Sequence, residues 1–309
     1  MIHKHLDEFQ YSPKLHIIIG SFDGIHFAHQ QLITKAINIA KKNNEKSLIF
    51  SFDPIPKEFF LKNEFKGTLL PIEQKKKILE QFNADHTIIV DFESIKNYTE
   101  KQFIEILLSK SDQLIIYSGK DFRIGSKHQE LYLGSQVEYV ILDDILINQQ
   151  VCRSSTIREL ILEGDITLAN TMLNKEYSIY SHTISGNKIG RSINFPTINI
   201  LPTKQIIPKS GVYFGEIKIY KHTHPVIIYV GNRPTVDGTE LRIESHVIED
   251  FPHENIPPNT PAEVIFIQRI FDEKTFKSLE ELKEMLYTYK EISLGLATER
   301  YKNKLNRLS

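Results

Sequence analysis

Two histidines stand three residues apart where the sequence changes from a strand pattern to a helix pattern. The β-branched run His16-Ile17-Ile18-Ile19 predicts a buried strand that ends at Gly20, and His26 and His29 lie at the start of the following helix. Free N–H groups and the helix dipole favour an anion there. Two imidazoles at such a terminus can both donate to phosphate oxygens, which suits phosphoryl or nucleotidyl transfer. On spacing alone, structural histidines and a metal-binding pair remain open.

Strand and helix patterns alternate through the first half of the chain. This alternation predicts an open, Rossmann-like parallel α/β sheet, which binds ligands beyond the carboxyl ends of its strands. The predicted strands are His16–Ile19, Ser47–Phe52, Thr87–Val90, Leu114–Tyr117 and Glu138–Leu142, and the predicted helices cover Leu32–Ala40, Ile72–Phe82 and Phe103–Leu108.

The pattern changes in the second half. Helices are predicted over Thr156–Leu173 around a break at Gly164-Asp165, and beyond about Lys175 short strands alternate with period two. This texture is typical of an antiparallel β-barrel or sandwich. A terminal helix or two is predicted over Leu279–Tyr301, and the predicted domains are residues 1–176 and 177–309. The predicted barrel strands are Val212–Ile219, Val226–Val230, Leu241–Ile248 and Ala262–Ile267.

Charge and cysteine content exclude several classes of protein. The 38 Lys and Arg residues balance 39 Asp and Glu residues, so neither nucleic acid nor an anionic membrane is an expected partner. The run Lys75-Lys76-Lys77 predicts a solvated helix face. Cys152 is the single cysteine, which fits a reducing compartment. No apolar signal core and no apolar run of about 20 residues is present, so a cytoplasmic protein is expected.

Several segments carry a resemblance to a known family. The stretch from Gly20 to Gln30 reads G-S-F-D-G-I-H-F-A-H-Q, which is similar to the H-x-G-H signature of nucleotidyltransferases. In its longer form it resembles the adenylyltransferase module of prokaryotic bifunctional riboflavin kinase/FAD synthetases. Phe52–Pro56, Gly119–Gly125 and Arg153–Arg158 resemble that module's F-x-P-x-P, G-x-D-F-R-F-G and S-S-T-x-x-R segments, in the same order.

The resemblance implies roles at matching positions. His26 and His29 would hold the ATP phosphates, and Asp121 would lie beside the nucleotide and the flavin phosphate. Arg158 would counter charge in the transition state, since its planar fork can bind phosphate oxygens in pairs. The remaining implied positions are Gly20, Phe22, Asp23, Gly24, Ser154 and Ser155 for ATP, and Phe52 and Pro54 for flavin.

Two departures affect this half. Ala28 replaces the glycine between the histidines, and its methyl group is expected to be tolerated with some effect on ATP affinity. The S-S-T-x-x-R segment is one residue short. Aligning on Arg158 puts Ser154 and Ser155 opposite the family's second Ser and its Thr.

The stretch from Gly186 to Asn199 resembles the riboflavin kinase signature G-x-x-x-G-R-x-x-G-F-P-T-A-N. A P-loop is excluded because the glycine spacing is short and Pro196 prevents a following helix; a plain glycine-rich hairpin loop stays open on the local pattern. The resemblance implies that Thr197 ligates Mg²⁺, with Asn199 close by. The implied loop over the ADP part of ATP includes Gly186, Lys188, Gly190 and Arg191.

The strand Leu241–Ile248 resembles the family's E-V-H-L strand. Glu244 and His246 share one face of it. By itself Glu244 reads as a solvated carboxylate, whereas the resemblance implies the base that takes the proton of the ribityl 5′-hydroxyl. Asn194 replaces a family glycine, and the Tyr-Gly pair expected after Asp250-Phe251 is missing. The implied flavin positions in this half are Asn232, Pro234, Thr235 and Arg269.

The resemblance covers nearly the whole chain and implies two activities. The C-terminal half would phosphorylate riboflavin with ATP to give FMN, and the N-terminal half would join FMN to AMP with release of pyrophosphate, both with Mg²⁺. A monomer is favoured. Three alternatives remain: an adenylyltransferase of another phosphate-bearing acceptor, an FMN adenylyltransferase with a degenerate kinase half, and a non-catalytic flavin sensor. The retained ATP-handling residues argue against the sensor.

Overall fold

The chain forms two compact units, Met1–Thr156 and Ile157–Ser309. A computed structural model describes residues 2–3, 9–120, 122, 134–186, 195–235, 238–249 and 256–306. The predicted functional boundary after residue 176 stays a prediction, because compactness and activity are separate properties.

The first unit contains a six-stranded sheet in the order β1-β4-β3-β2-β5-β6, and every neighbouring pair is parallel. Its strands are β1 (Ile2–His3), β2 (Ser12–Ile19), β3 (Lys46–Asp53), β4 (His86–Asp91), β5 (Ser111–Gly119) and β6 (Val137–Leu142). Its helices are α1 (Phe27–Lys42), α2 (Pro56–Leu61), α3 (Ile72–Gln81), α4 (Phe92–Ile95) and α5 (Glu100–Leu108), with a 3₁₀ turn at Lys62–Glu64; a ladder of β7 (Leu146–Ile147) and β8 (Gln150–Val151) follows.

Apolar side chains at alternate positions of the strands form the core on one face of this sheet. Because successive side chains point to opposite faces, residues two apart from neighbouring strands meet in one layer. Helix α5 packs against that layer through Phe103, Ile104 and Leu107, and α1 contacts β2, β3 and β5. The strand residues of the layer are Leu15, Ile17, Ile19, Leu48, Phe50, Phe52, Ile88, Val90, Leu114 and Ile116.

The strand order places a ligand crevice. From β2 the chain moves outward to β3 and β4, and then returns to pair β5 on the opposite side of β2. Loops at such a point of reversal diverge, and they leave a crevice beyond the carboxyl ends of the two central strands. The His26 turn follows β2, so the predicted Rossmann-like sheet is confirmed and its first motif lies at this edge.

The second unit is a closed antiparallel barrel with the strand order β10-β13-β12-β11-β14-β9. The barrel, rather than the alternative sandwich, is therefore the confirmed architecture, and one continuous helix covers the predicted terminal segment. Helix α6 (Ser154–Glu163) spans the boundary between the two units. The elements that follow it are α7 (Ile166–Leu173), β9 (Tyr177–Ile184), β10 (Ile198–Ile200), β11 (Gly211–Ile219), β12 (His222–Thr235), β13 (Gly238–Val247), β14 (Pro261–Asp272) and α8 (Leu279–Asn306).

Helix α8 packs on the barrel through apolar side chains and is also joined to it by ion pairs of Arg300. Tyr289 and Ala297 are buried in a cluster with Phe195 and barrel residues. Near the other end of the helix, Arg300 Nε lies 2.8 Å from Glu216 Oε1 and Nη2 lies 2.9 Å from Glu176 Oε1. The Glu216 side chain is only 7% exposed, so Arg300 places a cation against a buried carboxylate.

Arg300→Met is expected to destabilise the second unit by about 2–4 kcal/mol, because it leaves the buried Glu216 carboxylate without its cation. Chemical denaturation of the protein, followed by circular dichroism, would show the loss as a transition of the second unit at lower denaturant concentration. Lys221→Met in the exposed β11–β12 turn is the control, with an expected change below about 0.5 kcal/mol. Equal stability of the two variants would refute the role of this ion pair.

Candidate active sites

The turn after β2 is unusually tight. Phe22, Gly24 and Ile25 all have positive φ, at 46°, 79° and 45°, a region that a β-branched residue such as Ile25 rarely occupies. A Cβ on Gly20 would lie 2.9 Å from the Phe22 ring, so the turn needs glycine there. This backbone, strained at Ile25, delivers His26 directly to the N-cap of α1.

The two predicted histidines lie together. Their rings stack with centroids 3.6 Å apart, and the edge-on Phe22 ring lies 5.2 Å from His29. Burial, reinforced by the neighbouring His26 and Lys75, lowers the pKa of His29 well below its ordinary value. Its Nδ1 is buried and has no hydrogen-bond partner among the described residues. His29 is therefore neutral at neutral pH and would act on a phosphate as a hydrogen-bond donor, without a charge.

Cys152 packs against the N-terminus of the same helix from a distant part of the chain. Its Sγ lies 3.7 Å from His26 Nδ1, and the N–H groups of Phe27 and Ala28 donate to it. Burial raises the pKa of the thiol, and these two bonds oppose the rise. In the sequence, Cys152 indicates only a reducing compartment. No local pattern marks a contact between residues 126 positions apart.

Ser154 contacts the histidine turn. Its Oγ donates to the carbonyl oxygen of Asp23 at 2.9 Å. The Asp23 carboxylate accepts the Leu69 N–H at 2.9 and 3.2 Å. Asp23 therefore fixes the approach to α3, and it contributes to the site through its backbone.

The prediction of a solvated lysine face is wrong at Lys75. Its side chain is 3% exposed, and Nζ donates to Ser21 O at 2.6 Å and to Phe52 O at 3.0 Å. A signal was available, because Lys75 falls between Ile72 and Leu79 at the i, i+3, i+7 positions of the buried helix stripe. The prediction of a solvated side chain is correct at Lys77, which is exposed.

Aromatic side chains line the end of β3. Phe52 packs edge-on to Phe92 at 5.8 Å and parallel to Phe122 at 6.4 Å. Pro54 follows, half-buried, immediately after the strand. Flat aromatic surfaces at a crevice suit a planar ring system such as a flavin. Asp121 lies outside the described residues.

Glu244 and Thr197 form the centre of the second predicted site. Strands β10 and β13 pair Asn199 with Glu244, and Thr197 Oγ1 donates to Glu244 Oε2 at 3.2 Å. That donation leaves both lone pairs of the Thr197 oxygen available to a cation. Among the described residues no group of three or more His, Cys, Asp or Glu side chains could hold a metal. A hydroxyl, an amide and ligand phosphates nevertheless form a donor set that fits Mg²⁺.

His246 supports the segment that carries Thr197. Its ring stacks on Phe195 with centroids 3.5 Å apart, and Nδ1 donates to Pro196 O at 2.8 Å. Burial lowers the pKa of His246 to about 4, so the ring stays neutral with its proton on Nδ1. The sequence placed His246 on the same face as Glu244 but assigned it no role.

Comparisons with known proteins agree for both halves. The FAD synthetase family profile matches residues 9–136, and the riboflavin kinase profile matches residues 173–293. The bifunctional riboflavin kinase/FMN adenylyltransferase of Buchnera aphidicola subsp. Schizaphis graminum (strain Sg) is 32% identical over 286 residues, which cover 87% of this chain and 90% of that protein. The chain belongs to this bifunctional family. The protein of the same description from Escherichia coli (strain K12) is 28% identical over 285 residues, covering 87% of this chain and 88% of its own.

A solved structure supports the fold alone. A protein described as a macrolide-efflux protein from Streptococcus pneumoniae superposes with a TM-score of 0.81 at 23% sequence identity, over 95% of this chain and 98% of that one. No helix in the described part of the chain is long and apolar enough to cross a membrane. The profile matches and the bifunctional relatives, rather than this structure, confirm the family resemblance drawn from the motifs.

The other implied site residues differ in burial, and several of them lie outside the described residues. On α6, Ser155 is half-buried and Arg158 is buried, whereas Asn232 is exposed on β12. Arg269 binds Asp272 at 2.5 Å and Ser210 O at 2.7 Å, so these contacts tie β14 to the start of β11. The side chains of Pro234 and Thr235, and all of Lys188, Gly190, Arg191 and Asn194, lie outside the described residues.

Gly186 approaches Asn199 so closely that a Cβ would overlap the amide. We expect Gly186→Ala to displace Asn199 and to lower kcat/KM for riboflavin phosphorylation about tenfold or more. Gly295→Ala on α8 is the control, because nothing lies within 4 Å of its Cβ. Steady-state assays of both variants test this, and wild-type kinetics for Gly186→Ala would exclude close packing at Asn199 as a requirement.

Proposed function

We propose that residues 177–309 of this chain phosphorylate riboflavin with ATP to give FMN, and that residues 1–176 transfer AMP from ATP to FMN to give FAD. The observation that carries the proposal is the presence, in one chain of this family, of both constellations. The stacked His26 and His29 lie beyond β2, and Glu244 lies within hydrogen-bond reach of Thr197. Each constellation suits one of the two transfers.

For adenylyl transfer, the ATP phosphates would lie at the N-terminus of α1. His26 and His29 would donate N–H groups to them, and the Arg158 guanidinium would supply the positive charge that the neutral His29 does not. An FMN phosphate oxygen attacks the α-phosphorus, and the bond to pyrophosphate breaks in line. Ser154, held on the Asp23 carbonyl, would orient the start of α6 toward the same phosphates.

For riboflavin phosphorylation, Glu244 would accept the proton of the ribityl 5′-hydroxyl. The resulting oxygen attacks the γ-phosphorus, and ADP leaves. The Thr197 hydroxyl bond orients the Glu244 carboxylate, and His246 holds the adjoining Pro196. These contacts fix the base beside the phosphate-binding segment before any substrate arrives, so little reorganisation is needed.

Thr197 and Asn199 would hold Mg²⁺ in the kinase half. When bound, the ion would neutralise charge on the ATP phosphates. The chain's contribution is two oxygen ligands on one edge of the barrel, with Gly186 giving Asn199 its room. We further propose a monomer in the cytoplasm, where the buried Cys152 would stay reduced.

Product analysis by chromatography tests the proposal. Purified protein is incubated with riboflavin, ATP and Mg²⁺, and separately with FMN, ATP and Mg²⁺. FMN and FAD from the first mixture are expected. FAD from FMN with riboflavin untouched would refute the kinase assignment, and no flavin product in either mixture would refute both assignments.

A further inference from the structure

Lys75 connects two segments of the first unit that carry implied site residues. Its ammonium bonds to the Ser21 carbonyl in the β2–α1 turn and to the Phe52 carbonyl near the end of β3. The turn leads into the histidine pair, and Phe52 belongs to the aromatic surface at the other side of the crevice. One buried side chain from α3 therefore fixes the spacing between the two segments.

Removing this ammonium takes away a hydrogen-bond donor from two backbone carbonyls. Backbone carbonyls buried without a donor lose the hydrogen bonds that water would supply in the unfolded chain. With Lys75 gone, the Ser21 carbonyl would keep the longer bond from Ser51 Oγ at 3.3 Å but would lose the shorter one. The turn and the strand end would then separate or admit water to recover the lost bonds. Both responses would move His26 and His29 relative to Phe52.

The charges around Lys75 also reach the histidine pair. Asp23 from the turn and Asp53 from β3 attract the ammonium, while burial lowers the pKa of Lys75 to about 8. On the other side, His29 faces two groups that disfavour its protonation, His26 and Lys75. Lys75 is thus a cation at the back of the site, compensated in part by two carboxylates and directed away from solvent.

We propose that Lys75 is a positioning residue for adenylyl transfer, which holds the histidine turn against the end of β3 and so fixes where His26 and His29 lie. This rests on the proposed adenylyltransferase function of the first unit. Lys75 itself contacts no substrate in this role. It acts through Ser21, Phe52 and His29.

The lysine run supplies a matched control for the kinetic test. Lys75→Met keeps the aliphatic stem and removes the ammonium, whereas Lys77→Met makes the same change at an exposed position two residues later. We expect Lys75→Met to lower kcat/KM for FAD formation from FMN about tenfold or more. Lys77→Met should stay within about twofold of the wild type, and FMN formation by the other unit of the same molecules should not change.

An NMR titration separates positioning from a general loss of structure. His29 is assigned from the resonance missing in His29→Ala, and the fully buried His16 reports whether the sheet of the first unit is intact. With Lys75→Met, and with the polar variant Lys75→Gln, the pKa of His29 should rise while the His16 resonance keeps its position. Lys77→Met should leave both unchanged.

Several outcomes would overturn this role. Wild-type FAD formation by Lys75→Met would do so, as would an unmoved His29 titration in both variants. Loss of the His16 signal in both would make Lys75 a residue of folding alone. If the wild-type protein formed no FAD, the adenylyltransferase proposal would fail, but the titration would still decide whether Lys75 controls His29.

Discussion

His29→Ala is expected to lower the rate of FAD formation from FMN by about a hundredfold or more and to leave FMN formation from riboflavin intact. Removing a donor that is preorganised toward developing phosphate charge typically costs 10²–10³-fold. Here the substitution also removes the stacking partner of His26, whose ring centroid lies 3.6 Å away. The loss should therefore exceed that of a single hydrogen bond.

The measurement follows both products from one preparation by chromatography. His182→Ala, at an exposed position of β9, controls for the loss of a histidine elsewhere. Because the kinase constellation lies in the other compact unit, FMN formation serves as an internal standard for active protein. FAD formation at the wild-type rate would remove His29 from the site, and loss of both products in folded protein would contradict the assignment of one activity to each half.

Glu244→Gln should have the opposite effect. Glutamine keeps the shape of the side chain and can still accept from Thr197 through its carbonyl oxygen, but it cannot take a proton from an attacking hydroxyl. General bases typically contribute 10²–10⁴-fold, so FMN formation should fall within that range. FAD formation from supplied FMN should continue.

Glu249→Gln provides the matched comparison, because Glu249 is exposed just beyond the end of the same strand. Riboflavin phosphorylation is measured with both variants at saturating ATP, followed by FAD formation from FMN. If Glu244→Gln phosphorylated riboflavin as fast as Glu249→Gln, Glu244 would not be the base. The Thr197 contact would then serve only to hold β10 against β13.

The architecture was largely predictable because hydrophobic periodicity governs it. Runs such as Leu114–Tyr117 can only be buried on both faces, which requires a parallel sheet between helices. The barrel strands carry a period-two pattern, and Ile243 and Ser245, on either side of the half-buried Glu244, are fully buried. The choice between a barrel and a sandwich was open because it depends on the pairing of β9 with β14, which no local pattern encodes.

Site residues that belong to a sequence motif could be predicted. Residues that reach the site only through tertiary packing were missed. His26, His29, Thr197 and Glu244 were found by motif, and the structure brings each pair together. The contact between Cys152 and His26 needs the folded chain, because it joins distant positions. The bond from the Leu69 N–H to the Asp23 carboxylate likewise joins positions 46 residues apart, and no motif marks it.

Closure of the barrel has a consequence for how the chain is made. β9 pairs directly with β14, so Tyr177 meets Phe266 only after nearly ninety further residues have been added. The parallel sheet of the first unit is complete in sequence by residue 142, well before that point. During synthesis the first unit can fold early, while β9 must wait with an unpaired edge for its partner. A ribosome that pauses before Pro261 would leave that edge of β9 without its partner, so the pause would lengthen the time during which the nascent second unit exposes a strand edge.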